Sequence, residues 1–242
     1  MRIITLSITP YKEKDAIINA ISEEGEISFL VSGALNIKSK NSALNNQLVI
    51  ADIELKDGNF KYPILKSSNI IETPLKVKND YYYLSSLYLL TEATKELLQE
   101  DEKQRIFNSL VQAIINLKTA ESPWAIVLSY LARVLKESGY EFAVNNCVFC
   151  GAKNDIIIFS FNDGGFVCRN CLEEEMERDL TKNQMLIIRA AFNVKDISEA
   201  TFNISKEDAL VVLNKFFEFI KDSYGVTLKS IALLNKWLLF NT

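Results

Sequence analysis

The chain contains no histidine among its 242 residues. That excludes a Ser-His-Asp triad, a Cys-His dyad, a His-Glu-x-x-His metalloprotease helix and a Cys2His2 finger. Any general base would have to be a carboxylate, a lysine, a tyrosine or a thiolate, so hydrolases recede before any motif is read. Glycine and proline are scarce, at 8 and 4 residues, which excludes collagen-like and low-complexity chains. No apolar run approaches the roughly 20 residues of a membrane span. The opening segment, residues 1–10, is too short and too strand-like for a secretory signal. The expectation is a cytoplasmic protein with no membrane partner. What is there is 48% hydrophobic residues, ample for a packed core.

The formal net charge is -4, which on average argues against a polyanion as partner. The average hides a gradient. Residues 1–80 carry 10 basic and 10 acidic side chains, whereas residues 146–180 carry 3 and 7. Acidity is concentrated away from the N-terminal third, and a local patch on an acidic protein can still bind phosphate.

Residues 1–78 read as β. Arg2–Ile8, Ala16–Ile21, Ile27–Ser32, Leu48–Leu55 and Phe60–Lys66 are short runs of apolar and β-branched residues. Turn signals separate them at Thr9-Pro10, Glu24-Gly25, residues 36–46 and Asp57-Gly58-Asn59. Five short strands in under 80 residues suit a small closed barrel of the OB type better than a sandwich. From about residue 80 the period becomes helical, over Tyr82–Gln99 and Ile106–Leu117. Ser122-Pro123 opens a further helix that Gly139 closes, and Thr181 to Gln184 forms a capping box before Met185–Phe192. Ser205 opens Ala209–Ser223, which Gly225 stops. The fold expected is α+β: an OB barrel over residues 1–78, then an α-helical domain over 79–242 with a cysteine finger inserted at 147–171.

The four cysteines fall in one window as C-x2-C-x17-C-x2-C: Cys147, Cys150, Cys168 and Cys171. A two-residue gap lets a tight turn aim both sulfurs at one ion, and two such turns complete a tetrahedral four-thiolate site. Gly151 supplies the conformation that such a knuckle requires, and Asp163-Gly164-Gly165 the turn that returns the second pair. The reading is one structural Zn2+ per chain, with no position left for substrate. An iron–sulfur cluster is the main rival, since four thiolates also hold one. Paired disulfides fit poorly with a cytosolic chain.

This arrangement resembles RecO, the bacterial recombination mediator family. Tyr11-Lys12-Glu13-Lys14-Asp15 is similar to the family's YGExD opening, and Glu24-Gly25-Glu26-Ile27-Ser28 to its EHGKIS hairpin. Gly33-Ala34 with Lys38-Ser39-Lys40 resembles the GARKxKSR loop. Gly164 to Cys168 resembles part of the finger, and Leu228-Lys229-Ser230 the late LKS. The resemblance implies a non-enzymatic protein that binds single- and double-stranded DNA and anneals complementary strands. It implies partners in RecR and in the C-terminal tail of single-strand-binding protein, and help in loading RecA. Lys38 and Lys40, with Lys12 and Lys14 on the neighbouring loop, are the expected phosphate contacts. The loop departs from the family at Leu35 and Asn36, where two basic residues are usual. Fewer phosphate contacts make binding by this loop weaker and more salt-sensitive.

Three other features compete for attention. Tyr81-Tyr82-Tyr83 could stack bases but more simply packs at a strand-to-helix junction. Glu173-Glu174-Glu175 reads as a solvated first helical turn. The face Leu210, Leu213, Phe216, Phe217 and Ile220, flanked by Lys215 and Lys221, is either core or the edge of a groove for an acidic, apolar-ended peptide. The alternative to a DNA mediator is a protein–protein adaptor with weak DNA binding. An enzyme is disfavoured by the missing histidine and by the lack of a Walker or dinucleotide glycine motif.

Overall fold

The computed structural model describes residues 1–56, 58, 61–74, 81–120 and 123–233, and side chains throughout these except at Tyr81 and Tyr82. Five strands, β1 (Arg2–Tyr11), β2 (Asp15–Ser22), β3 (Gly25–Val31), β4 (Ile50–Lys56) and β5 (Ile64–Glu72), close into a barrel of order β1-β2-β3-β5-β4. Four of the pairings are antiparallel; β3 meets β5 in parallel through Leu30 and Ile64. The interior is filled by alternate residues along the strands. Ala16, Ala20 and Ala51 leave room for Ile3, Ile18 and Phe29, and Leu44 plugs one end from a short 3-10 turn over Ser42–Asn45. This is the expected OB-like barrel.

Two strand limits differ from the sequence reading. Pro10 lies within β1, paired opposite Ala16, and the turn falls at residues 12–14 with Lys12 at φ +58°. Beyond Ile4 the other edge of β1 is free of β4, so the missing proline N–H breaks no ladder. β5 runs to Glu72, pairing with β4 through Ser67, Ser68 and Asn69, a polar stretch without an apolar signal. Asp57 and Asn59 of the expected turn, Phe60, the Ser122 cap, and the side chains of Tyr81 and Tyr82 as stacking residues lie outside what is described, while Tyr83 is buried in the core.

The helices are α1 (Tyr81–Leu97), α2 (Glu100–Leu117), α3 (Pro123–Glu137), α4 (Lys182–Asn193) and α5 (Lys206–Tyr224). α3 is buried on nearly every side from Trp124 to Leu135 and forms the centre of the helical core. The same core takes in Ile4, Ile21, Leu48 and Ile50 from the outer wall of the barrel, so the barrel is seated on the helices. The β2–β3 hairpin docks on α2: Lys103 is buried between Glu26 at 3.0 Å and Glu100 at 2.8 Å, and Gln104 donates to the Glu24 carbonyl at 3.2 Å. Between α3 and α4 stands a small sheet of order β6-β8-β7, from Ala143–Cys147 (β6), Ile156–Ser160 (β7) and Gly165–Cys168 (β8). Phe142, Phe159, Phe161 and Phe166 seat it against Phe192 of α4 and Phe216 and Phe219 of α5 through edge-to-face and stacked contacts.

Glu173 to Glu175 lie in a loop and turn, not a helix. Leu213, Phe216 and Ile220 of α5 are buried, so that face is core, and Lys215 is held by Asp179 and by Glu218 at 2.9 Å. The late Leu-Lys-Ser is a docking point: the Glu92 carboxylate accepts from the Lys229 and Ser230 backbone N–H groups, both at 2.8 Å, and from the Ser230 hydroxyl.

Candidate metal centre and nucleic-acid interface

Cys147 ends β6, and the chain then turns tightly through Cys150, with the Gly151 N–H donating to the Cys147 carbonyl at 2.9 Å. Gly151 has φ +74°, which any other residue would adopt only under strain. Cys168 ends β8 and Cys171 follows in the 3-10 turn Arg169–Cys171. β8 runs parallel beside β6, which brings the two pairs to one place. The four sulfurs lie within 4.8 Å of one another, and Cys150 and Cys168 are 3.6 Å apart. A tetrahedron with metal–sulfur bonds near 2.3 Å has edges of about 3.8 Å, so the cage fits a single ion. A cluster would have to fit several irons and their sulfides between the same thiolates.

The electrostatics suit a cation. Burial raises the Cys147 thiol, but backbone N–H groups of Cys168, Cys150 and Phe149 outweigh it and bring the thiol down to about 6. The Cys168 N–H lies 3.4 Å from its sulfur. Cys171 is pushed up to about 12, chiefly by its hydrogen bond to Cys150, because without a cation the group cannot carry four adjacent negative charges. Cys147 and Cys168 are buried and Cys150 is exposed, so the cage lies at the surface of the finger with two sulfurs inward.

The lysines singled out in the sequence come together at one end of the barrel. Lys12 and Lys14 are on the β1–β2 turn, Lys38 and Lys40 on the β3–β4 connection, and all four are exposed. The two loops are tied together: the Leu35 N–H donates to the Lys14 carbonyl at 3.0 Å, and the Gly33 N–H to the Asp15 carboxylate at 2.9 Å. None of the four makes an ion pair among the described residues. Leu35 and Asn36, the departures from the family loop, have local work: Leu35 packs on the barrel core and the Asn36 side chain accepts from the Lys38 N–H at 3.0 Å.

Sequence reasoning missed two further members of this end. The Lys56–Ile64 pairing of β4 with β5, and the Leu30–Ile64 pairing, bring exposed Lys56 and Lys61 to the same rim. Lys61 lies 5.7 Å over the Tyr62 ring, and Lys12 is 5.4 Å over the ring of Tyr11. The available signal was the pair of lysines flanking the Asp57-Gly58 turn.

A second candidate surface is a cavity of about 270 Å³ between α3 and α4, lined by Ser129, Arg133, Lys136, Phe192, Val194 and Lys195 among others. The Arg133 guanidinium donates to the Lys195 carbonyl at 2.5 Å. The Arg133 Nε and the Ser129 hydroxyl are buried and have no hydrogen-bond partner among the described residues. Neither was legible from α3 alone, since what surrounds these two side chains is set by the fold.

The family model described as Recombination protein O C terminal matches residues 78–231. This chain belongs to the RecO family. A protein called DNA repair protein RecO from Halalkalibacterium halodurans is 23% identical over 237 residues, covering 96% of this chain and 92% of that one. The protein of that name from Mesoplasma florum is 28% identical over 238 residues, covering 93% and 86%. That from Acetivibrio thermocellus is 30% identical over 167 residues, covering 67% of this chain and 66% of its own. The RecO family match spans all five helices and the cysteine finger, and the two longer alignments take in the barrel as well.

Proposed function

We propose that this RecO family member acts in DNA repair as a non-enzymatic, DNA-binding recombination mediator. The observation that carries the reading is the rim of the OB-like barrel, since Lys12, Lys14, Lys38, Lys40, Lys56 and Lys61 all belong to strand ends and connections at one end of the barrel, on a chain of net negative charge. OB barrels bind nucleic acid with such loops, and exposed lysines at one rim supply phosphate contacts without reading sequence. On this reading the barrel holds single- and double-stranded DNA and brings complementary strands together. With RecR it helps load RecA on DNA coated by single-strand-binding protein. Cys147, Cys150, Cys168 and Cys171 hold one structural Zn2+, which would fix the fold of the finger and has no open position for chemistry.

The cavity between α3 and α4 is suited to the acidic, apolar-ended tail of single-strand-binding protein. Phe192 and Val194 give an apolar floor. Arg133, Lys136 and Lys195 give cations for an acidic tail and its terminal carboxylate. This replaces the face of α5, which the core occupies.

The test is binding of unrelated labelled oligonucleotides over a salt series, with strand annealing measured in the presence and absence of single-strand-binding protein. Lys38→Ala with Lys40→Ala should weaken all sequences about equally and flatten the salt slope by up to roughly two phosphate contacts. An unchanged slope moves the surface elsewhere, and no binding at low salt ends the reading.

A further inference from the structure

Ile37 stands at the tip of the β3–β4 connection and is 92% exposed. Single apolar residues on a surface ordinarily need no explanation. Two observations set this one apart. First, the loop beneath it is built, not slack. The Asn36 N–H donates to the Gly33 carbonyl at 3.1 Å, the Ser39 N–H to the Asn36 carbonyl at 2.8 Å, and the Ser42 N–H to the Ser39 carbonyl at 3.0 Å. The Asn41 amide anchors the loop to the Ser32 carbonyl at 3.0 Å. Ala34 and Leu44 of the same connection are buried in the barrel core and Leu35 packs against it, so the loop has an inward side and Ile37 is held off it.

Second, the rim has a repeating composition. Among the described residues, each of its three turns has an apolar or aromatic residue next to a lysine in the chain: Tyr11 and Lys12, Ile37 and Lys38, Tyr62 and Lys61, and in two of them the ammonium lies over the neighbouring ring. Ammonium groups match phosphates, whereas the apolar members match the faces of bases. An intact duplex hides those faces and a single strand presents them. A rigid loop also loses little freedom on binding.

We propose that Ile37 is a wedge that enters between exposed bases of a nucleic-acid strand bound on this rim, while the lysines hold its phosphates. The lysine contacts are common to single strands and duplexes, and the Ile37 contact belongs to unstacked bases alone. Ile37 therefore sets the preference of the rim for single-stranded over double-stranded DNA. The inference rests on the nucleic-acid reading above, and one experiment separates the two.

The full chain, its Ile37→Ala variant and the Lys38→Ala/Lys40→Ala variant are titrated against a single-stranded oligonucleotide carrying 2-aminopurine and against its duplex, over a salt series. Ile37→Ala, at an exposed position, should weaken single-strand binding roughly tenfold at every salt concentration. It should leave the salt slope and duplex binding unchanged and lose most of the 2-aminopurine fluorescence change. The lysine variant should flatten the slope instead. If the unaltered chain binds single strands and Ile37→Ala matches it in affinity and fluorescence, the wedge is overturned and the interface stands. That outcome includes an Ile37 that serves a protein partner. Equal losses on single strand and duplex overturn it too. If the unaltered chain binds neither DNA at low salt, the nucleic-acid reading itself falls.

Discussion

Gly165 sits at the first position of β8 with φ +154°, and a Cβ added there would lie 2.6 Å from the Ala143 carbonyl oxygen and 2.8 Å from its nitrogen. Both atoms are backbone, so neither can swing away, and β8 would have to leave β6. Gly151 has φ +74° but open space around it. Gly165→Ala should therefore cost about 2–4 kcal/mol, and Gly151→Ala about 1–2 kcal/mol from backbone strain alone. Denaturant midpoints and metal retention against a chelator check the ranking; equal costs would mean that β6 and β8 are not packed this closely. The residues of the cage were legible because the spacing of Cys147, Cys150, Cys168 and Cys171 is itself the signal. Gly165 as a point of backbone contact was not, since its crowding comes from Ala143, which lies 22 positions earlier in the chain. The Ser129 hydroxyl and Arg133 Nε, which have no hydrogen-bond partner among the described residues, were invisible for the same reason: only the fold shows what surrounds them.

Elements were legible where local chemistry decides them. Thr181 accepts from the Gln184 N–H at 3.3 Å and Gln184 accepts from the Thr181 N–H at 2.9 Å, the capping box read from the sequence. Ser205 caps α5 by accepting from the Asp208 N–H at 3.1 Å. The apolar period begins only at Ile106, six residues after the start of α2, because Glu100 to Arg105 are all polar or charged. Their purpose is tertiary: they receive the β2–β3 hairpin. Lys103 is lowered by burial, but Glu100 and Glu26 outweigh this and hold it above its ordinary value. The Glu100 carboxyl is lowered chiefly by its hydrogen bond to Lys103. The stability from Lys103 is thus present below about 10.5 and lost as pH climbs through its raised value. That from Glu100 is present above its ordinary value and lost as pH falls through its lowered one. Lys103→Met keeps the aliphatic stem and removes the charge. It should cost about 1–2 kcal/mol at neutral pH, since the two carboxylates remain partly solvated. Urea midpoints at about pH 7 and about pH 3 check this; the gap between the two proteins should close on acidification, and a constant gap would mean that packing, not charge, joins the hairpin to α2.

At the scale of the molecule, two bodies of apolar contact divide the structure. The barrel interior forms one cluster, and the helices, finger and outer wall of the barrel form the other. The order of barrel, helices and finger could be read along the chain from its change of period. The meeting of six lysines from three turns could not, because it depends on how β3, β4 and β5 pair. The division leads to a prediction about metal removal. The finger's sheet has three short strands among the described residues, and two of its ends are the cysteine pairs themselves, so an ion held by the four thiolates would supply much of what holds it. Its aromatic face continues into α4 and α5, so losing such an ion would loosen that side of the helical core. The barrel interior shares no residue with it. Chelation at neutral pH should therefore release one metal per chain and lower the unfolding temperature. Oligonucleotide affinity and its salt slope should stay as they were, and acidification should release the metal as the thiolates take up protons. Elemental analysis, calorimetry and a salt series on the same chelated sample decide it. A salt slope that falls with the metal would show that the finger itself contacts phosphate, and that the rim of the barrel is only part of the interface.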